Sequence, residues 1–439
     1  MEPKLPPGPR LPATLQGLAF TASRRAVMRR RSRRYGRVYS GQLPLFGPVV
    51  FVNDPVLIKQ VFMTSTDLVG NIQPNLGRVL GPGSFFSLEG DEHKRQRKLL
   101  VPPFHGRRMK DYEEIIAEEA DREMATWPAD RPFPTLPSMM RITLNIILRA
   151  VFGAEGAEFE ALRKLIPPMV ELGSKIALVG KLPLPLGRFD PWRRFSRYRQ
   201  EFDEIVGKLI ADTLADPHLD ERKDVLSLML LARYDDGEPM SQSDILDQLT
   251  TLLAAGHETT ATTLAWAVER LRRHPAALAR MADPDYRQAA IIEVQRVRPV
   301  IDLTGRRVKT DYLQLGEWVI PRGHSLLIGI GAVHEDDGVF PDAGSFRPER
   351  FLDAPPDTYE WIPFGGGTRR CIGAAFATME MNVVLRRMVQ TFELVTTDEP
   401  GEHWHNRGVA YAPAKGGIAV VRRRPSESTE GIEDAPLSA

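Results

Sequence analysis

The chain has 439 residues, of which 42% are hydrophobic and 26% charged, so it carries enough apolar material to bury a sizeable core. Its formal net charge of +1 removes any bulk electrostatic case for nucleic acid. One cysteine, Cys371, excludes an intrachain disulfide and any cysteine-cluster metal site, and it fits a reducing compartment.

The opening stretch MEPKLPPGPRLP lacks the apolar core of a signal peptide. No later stretch reaches the ~20 apolar residues of a membrane span, so a soluble, cytoplasmic chain without a transmembrane anchor is expected. Residues 24–34 (RRAVMRRRSRR) form a basic run, read as a solvated helix face, with contact to an anionic membrane surface as the alternative. VYSGQL and VVFV, separated by the turn-like PLFGP, read as two short strands. In HKRQR, His93 and Arg97 stand at i and i+4 on one helix face and can point together at an anion, while Lys94, Arg95 and Lys98 read as a solvated face. From Pro55 on, helical patterns dominate; DYEEIIAEEADREMATW and SMMRITLNIILRAVFG both repeat apolar residues at helical spacing. Residues 181–192 (KLPLPLGRFDPW) break two helical regions, and the polar stretch from Pro425 to the end reads as a disordered tail.

One predicted helix is unusual. It starts at Ser241, a plausible N-cap with Asp244 three residues on, and runs to about Arg273, where His274-Pro275 stops it. Its middle, LLAAGHETTATTLAWA, is poor helix material. Gly256 costs about 1 kcal/mol relative to alanine, and threonines 259, 260, 262 and 263 add β-branched strain. Something other than helix stability is served there.

Cys371 lies in FGGGTRRCIG, residues 364–373, just before the helical run AAFATMEMNVVLRRMV. Backbone amides and the dipole of a helix start favour a thiolate, and Gly365, Gly366, Gly367 and Gly373 let the backbone fold around the sulfur. That environment suits a metal ligand of tuned potential. A small buried hydrophobe and a cysteine nucleophile with a histidine base are the other readings. A phosphate-cradling loop fails for want of the Lys-Ser/Thr ending.

The segment resembles the haem-binding loop of the cytochrome P450 family, F-x-x-G-x-R-x-C-x-G, with Phe364, Gly367, Arg369, Cys371 and Gly373 at every fixed position. Three other segments resemble the family's in the family's order: HKRQR (93–97), AGHETT (255–260), and EVQR with FRPERF (Glu293, Arg296 and Arg350). The resemblance implies a mainly α fold with a smaller β region, a single haem domain over residues 1–424, and haem b as cofactor. Cys371 would be the axial thiolate on iron, an arrangement that favours O–O cleavage. Arg369, His93, Arg97 and Arg307 would hold the haem propionates, with Arg306 beside Arg307 leaving that register open. Ala255 and Gly256 would border the oxygen pocket, Gly256 allowing a local opening of the helix ladder. Glu258 and Thr259 would deliver protons, and Glu293, Arg296 and Arg350 would form a structural triad.

The reaction so implied inserts one atom of O2 into an apolar substrate. Its electrons come from NAD(P)H through a ferredoxin reductase and a ferredoxin, because the chain shows no dinucleotide fingerprint and has no length for a reductase; GIGAVH at 329–334 fails G-x-G-x-x-G. A basic surface around Arg95, Lys98 and Arg370 is the expected docking face for an acidic carrier. Phe85, Phe86, Pro299, Val300 and Ile301 suggest an apolar pocket for a lipid, terpenoid, steroid or aromatic compound, with Arg78 a candidate carboxylate anchor. A peroxide-driven peroxygenase and a non-turnover haem sensor or ligand-binding protein are the alternatives.

Overall fold

A computed structural model of the chain describes residues 2–425, apart from residues 45, 73, 105, 107–108, 154–155 and 178–189 and the side chains of 74 and 75. Most of the predicted break at 181–192 and all of the predicted tail after Pro425 lie outside the described residues.

The two N-terminal strands form where expected. Val38–Leu43 and Gly47–Val52 pair antiparallel, Val38 opposite Val52 and Leu43 opposite Gly47. Alternation buries Tyr39, Gly41 and Leu43 on one face. The second strand runs parallel to Ser325–Gly329, which pairs antiparallel with Leu303–Val308, and Val69–Gly70 closes that edge. Among the described residues this five-stranded sheet is joined by four two-stranded sheets, and helices dominate the remainder.

The helix Gln242–Leu271 runs through the middle of the helical part, capped by the Ser241 hydroxyl accepting from Asp244 N–H at 3.1 Å. It packs along Leu136–Phe152, a helix ended by Gly153 at φ 67°. Apolar residues at helical spacing on both, among them Ile142, Ile146, Leu249, Leu253 and Leu264, fill the main core. Trp266 is fully buried, and its indole N–H donates to the Tyr411 carbonyl at 3.0 Å. The helix is continuous through Gly256, so the expected opening of its ladder there is not observed. A Cβ on Gly256 would make ordinary contact with Ile147 at 3.4 Å, so neither backbone angle nor clash demands glycine at this point.

Glu293, Arg296 and Arg350 come together as expected. Arg296 is buried on the helix Pro284–Val297 and uses all five N–H donors. Two go to the Glu293 carboxylate at 2.7 and 2.8 Å, and the others to the carbonyls of His334, Ala343 and Ser345 at 2.8–2.9 Å. Arg350 reaches Glu293 at 3.2 Å, and the Arg347 N–H donates to the same carboxylate at 2.8 Å. His334 extends this network toward the cysteine: its Nε2 accepts from Ile362 N–H at 3.0 Å, two residues before Phe364. Burial lowers the His334 pKa to about 3, keeping the ring neutral and Nε2 free to accept.

Candidate functional site

The loop from Phe364 to Gly373 leads into the helix Ala374–Thr391, and Cys371 sits one turn before its start. Gly367 adopts φ 65°, and a Cβ there would come within 2.2 Å of the Phe62 carbonyl oxygen. At Gly366 a Cβ would strike the Phe62 ring. These two glycines press the loop onto the helix Pro55–Met63 and thereby fix the cysteine backbone, whose N–H donates to the Phe364 carbonyl at 3.0 Å. The Cys371 thiol opens into a cavity of about 410 Å³. Burial pushes its pKa up, opposed by a hydrogen bond from the Gly373 backbone and by the guanidinium groups of Arg97 and Arg370. The sulfur is exposed to this cavity, and the backbone hydrogen bond and the two arginines act in the direction that favours a thiolate.

Three arginines for which no ion pair is seen among the described residues, together with a histidine, stand along the same cavity. His93, Arg97, Arg306 and Arg369 all line it. Arg369 donates to the carbonyls of Phe85 and Leu88, and Arg306 to those of Gly305 and Gly366 at 2.8 and 3.0 Å. Burial lowers the pKa of all three arginines, that of Arg306 to about 10. The His93 imidazole is lowered to about 3, by burial first and then by Arg369, Arg97 and Arg306. Its Nδ1 is buried with no hydrogen-bond partner among the described residues.

Here the sequence reading of Arg307 is corrected. Successive strand residues face opposite ways, and in Leu303–Val308 it is Arg306 that turns into the cavity while Arg307 is exposed. The adjacent pair RR held that ambiguity, and register against Ser325–Gly329 decides it.

The central helix supplies another wall. Ala255, Gly256, Glu258 and Thr259 all line the cavity, as expected. Thr259 donates its hydroxyl to the Ala255 carbonyl at 2.7 Å, Thr263 to that of Thr259 at 3.0 Å, and Thr250 and Thr251 likewise bond four residues back. Hydroxyl donors are thus spent on the helix's own backbone. Glu258 is buried, and Arg407 donates to it at 2.9 Å. Burial raises the Glu258 pKa, and Arg407 pulls it back. Arg407 carried no sequence signal, because it arrives from the C-terminal strand region, 149 residues away.

Phe85, Phe86, Pro299, Val300 and Ile301 also line the cavity, with Phe364 and Gly373 near the thiol. Gly367 does not; its role is the contact with Phe62. Arg78 stands in a separate surface groove of about 490 Å³, which shares only Val79 and Phe195 with the cavity lining. Of the cations expected to meet an electron carrier, Lys98 is paired with Asp235 at 2.6 Å and Arg95 with Asp236, so their charge is largely cancelled; Arg370 is exposed. Among the described residues, no helix is long and apolar enough to cross a membrane.

With this geometry established, comparison places the chain among known proteins. A family model described as Cytochrome P450 matches residues 5–418. A Mycobacterium tuberculosis protein named "Putative cytochrome P450 138" is 54% identical over 427 residues, covering 96% of this chain and 97% of the relative. "Putative cytochrome P450 135B1" of Mycobacterium bovis is 37% identical, covering 95% and 91%. Among solved structures, retinoic acid-bound cyanobacterial CYP120A1 superposes with a TM-score of 0.85 at 22% identity, covering 96% of this chain and 100% of that one, a likeness of fold.

Proposed function

Because the chain belongs to the cytochrome P450 family, we propose that it is a haem-thiolate monooxygenase acting on an apolar small molecule, with electrons from NAD(P)H passed on by a ferredoxin reductase and a ferredoxin. The observation that carries this reading is that Cys371, the arginines Arg97, Arg306 and Arg369 with His93 beside them, and the Glu258–Thr259 pair line one largely apolar cavity.

The residues fit a haem. A planar group bearing two carboxylates would satisfy Arg97, Arg306 and Arg369, for which no ion pair is seen among the described residues, and His93 Nδ1 offers a buried, unused hydrogen-bonding atom. Cys371 would hold the iron; coordination keeps a thiol deprotonated even where burial alone would not. When bound, the haem supplies the redox-active iron at which O2 is activated.

The chain's own residues do the rest. Glu258 is a buried titratable carboxyl on the cavity wall, its pKa raised by desolvation and pulled back by Arg407, which holds it by a hydrogen bond at 2.9 Å. The Thr259 hydroxyl proton is committed to Ala255, which leaves the oxygen lone pairs available to a hydrogen-bond donor in the cavity. Phe85, Phe86, Val300 and Ile301 exclude water and favour a hydrophobic substrate. Glu293, Arg296 and Arg350 brace residues 334–350, ahead of the cysteine loop.

The test is the absorption spectrum of the reduced, carbon-monoxide-bound protein beside its Cys371→Ser variant. A red-shifted Soret band lost on substitution is expected. A histidine-haem Soret position, or no haem, overturns the reading. Oxygen uptake coupled to NAD(P)H oxidation and substrate loss then separates a monooxygenase from a peroxide-driven enzyme and from a sensor that does not turn over.

A further inference from the structure

Charge is distributed very unevenly along this chain. Residues 3–53 contain ten Lys and Arg and no Asp or Glu. All but ten of the 58 basic residues and all but one of the 57 acidic ones lie after residue 53, so that remainder is net −8. A near-neutral total conceals a strongly cationic N-terminal region.

The fold sorts these cations into two groups. Lys4, Arg24, Arg25 and Arg37 are paired with Glu317, Asp302, Glu335 and Asp336, and Arg31 is buried. Arg10, Arg29, Arg30, Arg33 and Arg34 remain exposed, with no ion pair among the described residues. Four of these five lie on the helix Ala13–Tyr35, on the side away from buried Met28 and Arg31.

The same helix bends at Ser23, where φ is −157° and ψ 77°, and its first part carries a different surface. There Gln16 and Phe20 are buried, while Leu15 is 52% and Leu18 68% exposed. Leu11, just before the helix, is 54% exposed, and Leu5 42%. Four large exposed aliphatics so close in sequence form a concentration found nowhere else on the described surface. The segment is also firmly held. Gln16 donates to the Leu11 carbonyl at 2.8 Å and accepts from Gln42 N–H at 3.2 Å. Beyond the bend, Arg24 meets buried Asp302 at 2.9 Å, and Arg25 lies over the Trp404 ring at 3.8 Å. These anchors hold both sides of the bend, with the leucines exposed before it and the arginines exposed after it.

We propose that this N-terminal surface docks on an anionic lipid bilayer, with Leu11, Leu15 and Leu18 at the headgroup–acyl boundary and Arg29, Arg30, Arg33 and Arg34 on lipid phosphates. Leucines beside unpaired arginines, with no acid among them, match a lipid surface better than an acidic protein or a nucleic acid, which would leave the leucines in water. The chain lies on the bilayer and does not span it. This surface is remote in sequence from Cys371 and stands or falls independently of the haem reading.

The test is co-sedimentation of the full-length, cofactor-loaded protein with phosphatidylcholine vesicles, with and without phosphatidylglycerol. Binding should require phosphatidylglycerol and weaken with salt. Arg29→Gln, Arg30→Gln, Arg33→Gln and Arg34→Gln together should weaken it by about fivefold per arginine, on the order of several hundredfold in all. Leu15→Gln with Leu18→Gln, at unchanged charge, should weaken it by about tenfold or more. All six positions are exposed, and an unchanged thermal midpoint confirms that each variant folds. No vesicle binding, equal binding to neutral vesicles, or undiminished binding by the leucine variant overturns the proposal; the last would mark a general polyanion surface.

Discussion

Replacing Arg306 by leucine, with Arg307→Leu as its partner experiment, tests the strand register and the cofactor cradle together. Arg306 is buried and donates to the Gly305 and Gly366 carbonyls at 2.8 and 3.0 Å. Hydrogen bonds from a charged donor are worth about 1.5–3 kcal/mol each, so their loss alone would cost about 3–6 kcal/mol. Against this stands the cost of burying the cation, which burial and neighbouring Arg369 lower to a pKa of about 10. That depression works against the charged form by about 3 kcal/mol. The two effects offset, so Arg306→Leu should change the stability of the haem-free chain by only about 0–3 kcal/mol, read from urea denaturation by tryptophan fluorescence. If Arg306 pairs with a haem propionate, as proposed, haem retention should suffer more visibly: transfer of haem to excess apomyoglobin should accelerate by roughly 10- to 100-fold. Arg307 is exposed and should leave both readouts unchanged within about 0.5 kcal/mol. If Arg307→Leu accelerates haem loss and Arg306→Leu does not, the register argument is wrong.

Three further outcomes follow from the geometry. Glu258→Gln should keep haem and oxygen uptake but lower product formed per NAD(P)H. In the wild-type pH–rate profile an ionisation above the ordinary carboxylate range should vanish in Glu258→Gln and move higher still in Arg407→Leu, since Arg407 lowers that pKa; a profile indifferent to both removes Glu258 from proton delivery. Glu293→Ala strands two buried guanidinium groups and should cost about 3–5 kcal/mol, measured by denaturation midpoint and by recovery of haem-loaded protein; a loss under about 1 kcal/mol would show that backbone contacts alone hold residues 334–350. Glu380, buried on the helix after Cys371, has its pKa raised well above the usual value by desolvation. An acid raised on folding binds its proton more tightly folded than unfolded, so its contribution to stability falls as pH climbs from the ordinary carboxylate range to the raised pKa. Glu380→Gln should therefore gain on wild type as pH rises, by up to about 1.4 kcal/mol per pH unit, and a flat difference would refute it.

What the sequence revealed and what it withheld divide along a physical line. Local chemistry was legible: the cap at Ser241, the alternation of Val38–Leu43 and the Phe364–Gly373 spacing each depend on neighbours within a few residues. Partners that meet only in the fold were not. Arg407 reaches Glu258 from 149 residues away, and His334 holds Ile362 across 28. The choice between Arg306 and Arg307 needed the pairing with Ser325–Gly329, which no window of sequence contains. Helix Ala157–Ala177 runs through Pro167 and Pro168, where the missing N–H donors alone would argue for a break; its buried Phe159, Leu162, Ile166 and Met169 show tertiary packing overriding that local preference.

The threonine-rich centre of the long helix shows how a weak local choice becomes sensible once the cavity is known. A leucine or alanine wall would suit the helix better, but would place no hydroxyl oxygen beside the thiol's cavity. Free hydroxyls there would instead be polar groups in an apolar pocket, each in need of a partner. Bonding them to carbonyls four residues back resolves the conflict. Thr250, Thr251, Thr259 and Thr263 satisfy their donors internally and keep methyl groups and acceptor lone pairs for the cavity. Glu258 then stands as the titratable side chain of this helix on the cavity wall, beside threonines whose hydroxyl protons are largely committed, and on the proposed function it would be the source of a proton entering from this helix. That arrangement makes the uncoupling expected of Glu258→Gln a consequence of the whole helix face rather than of one carboxylate.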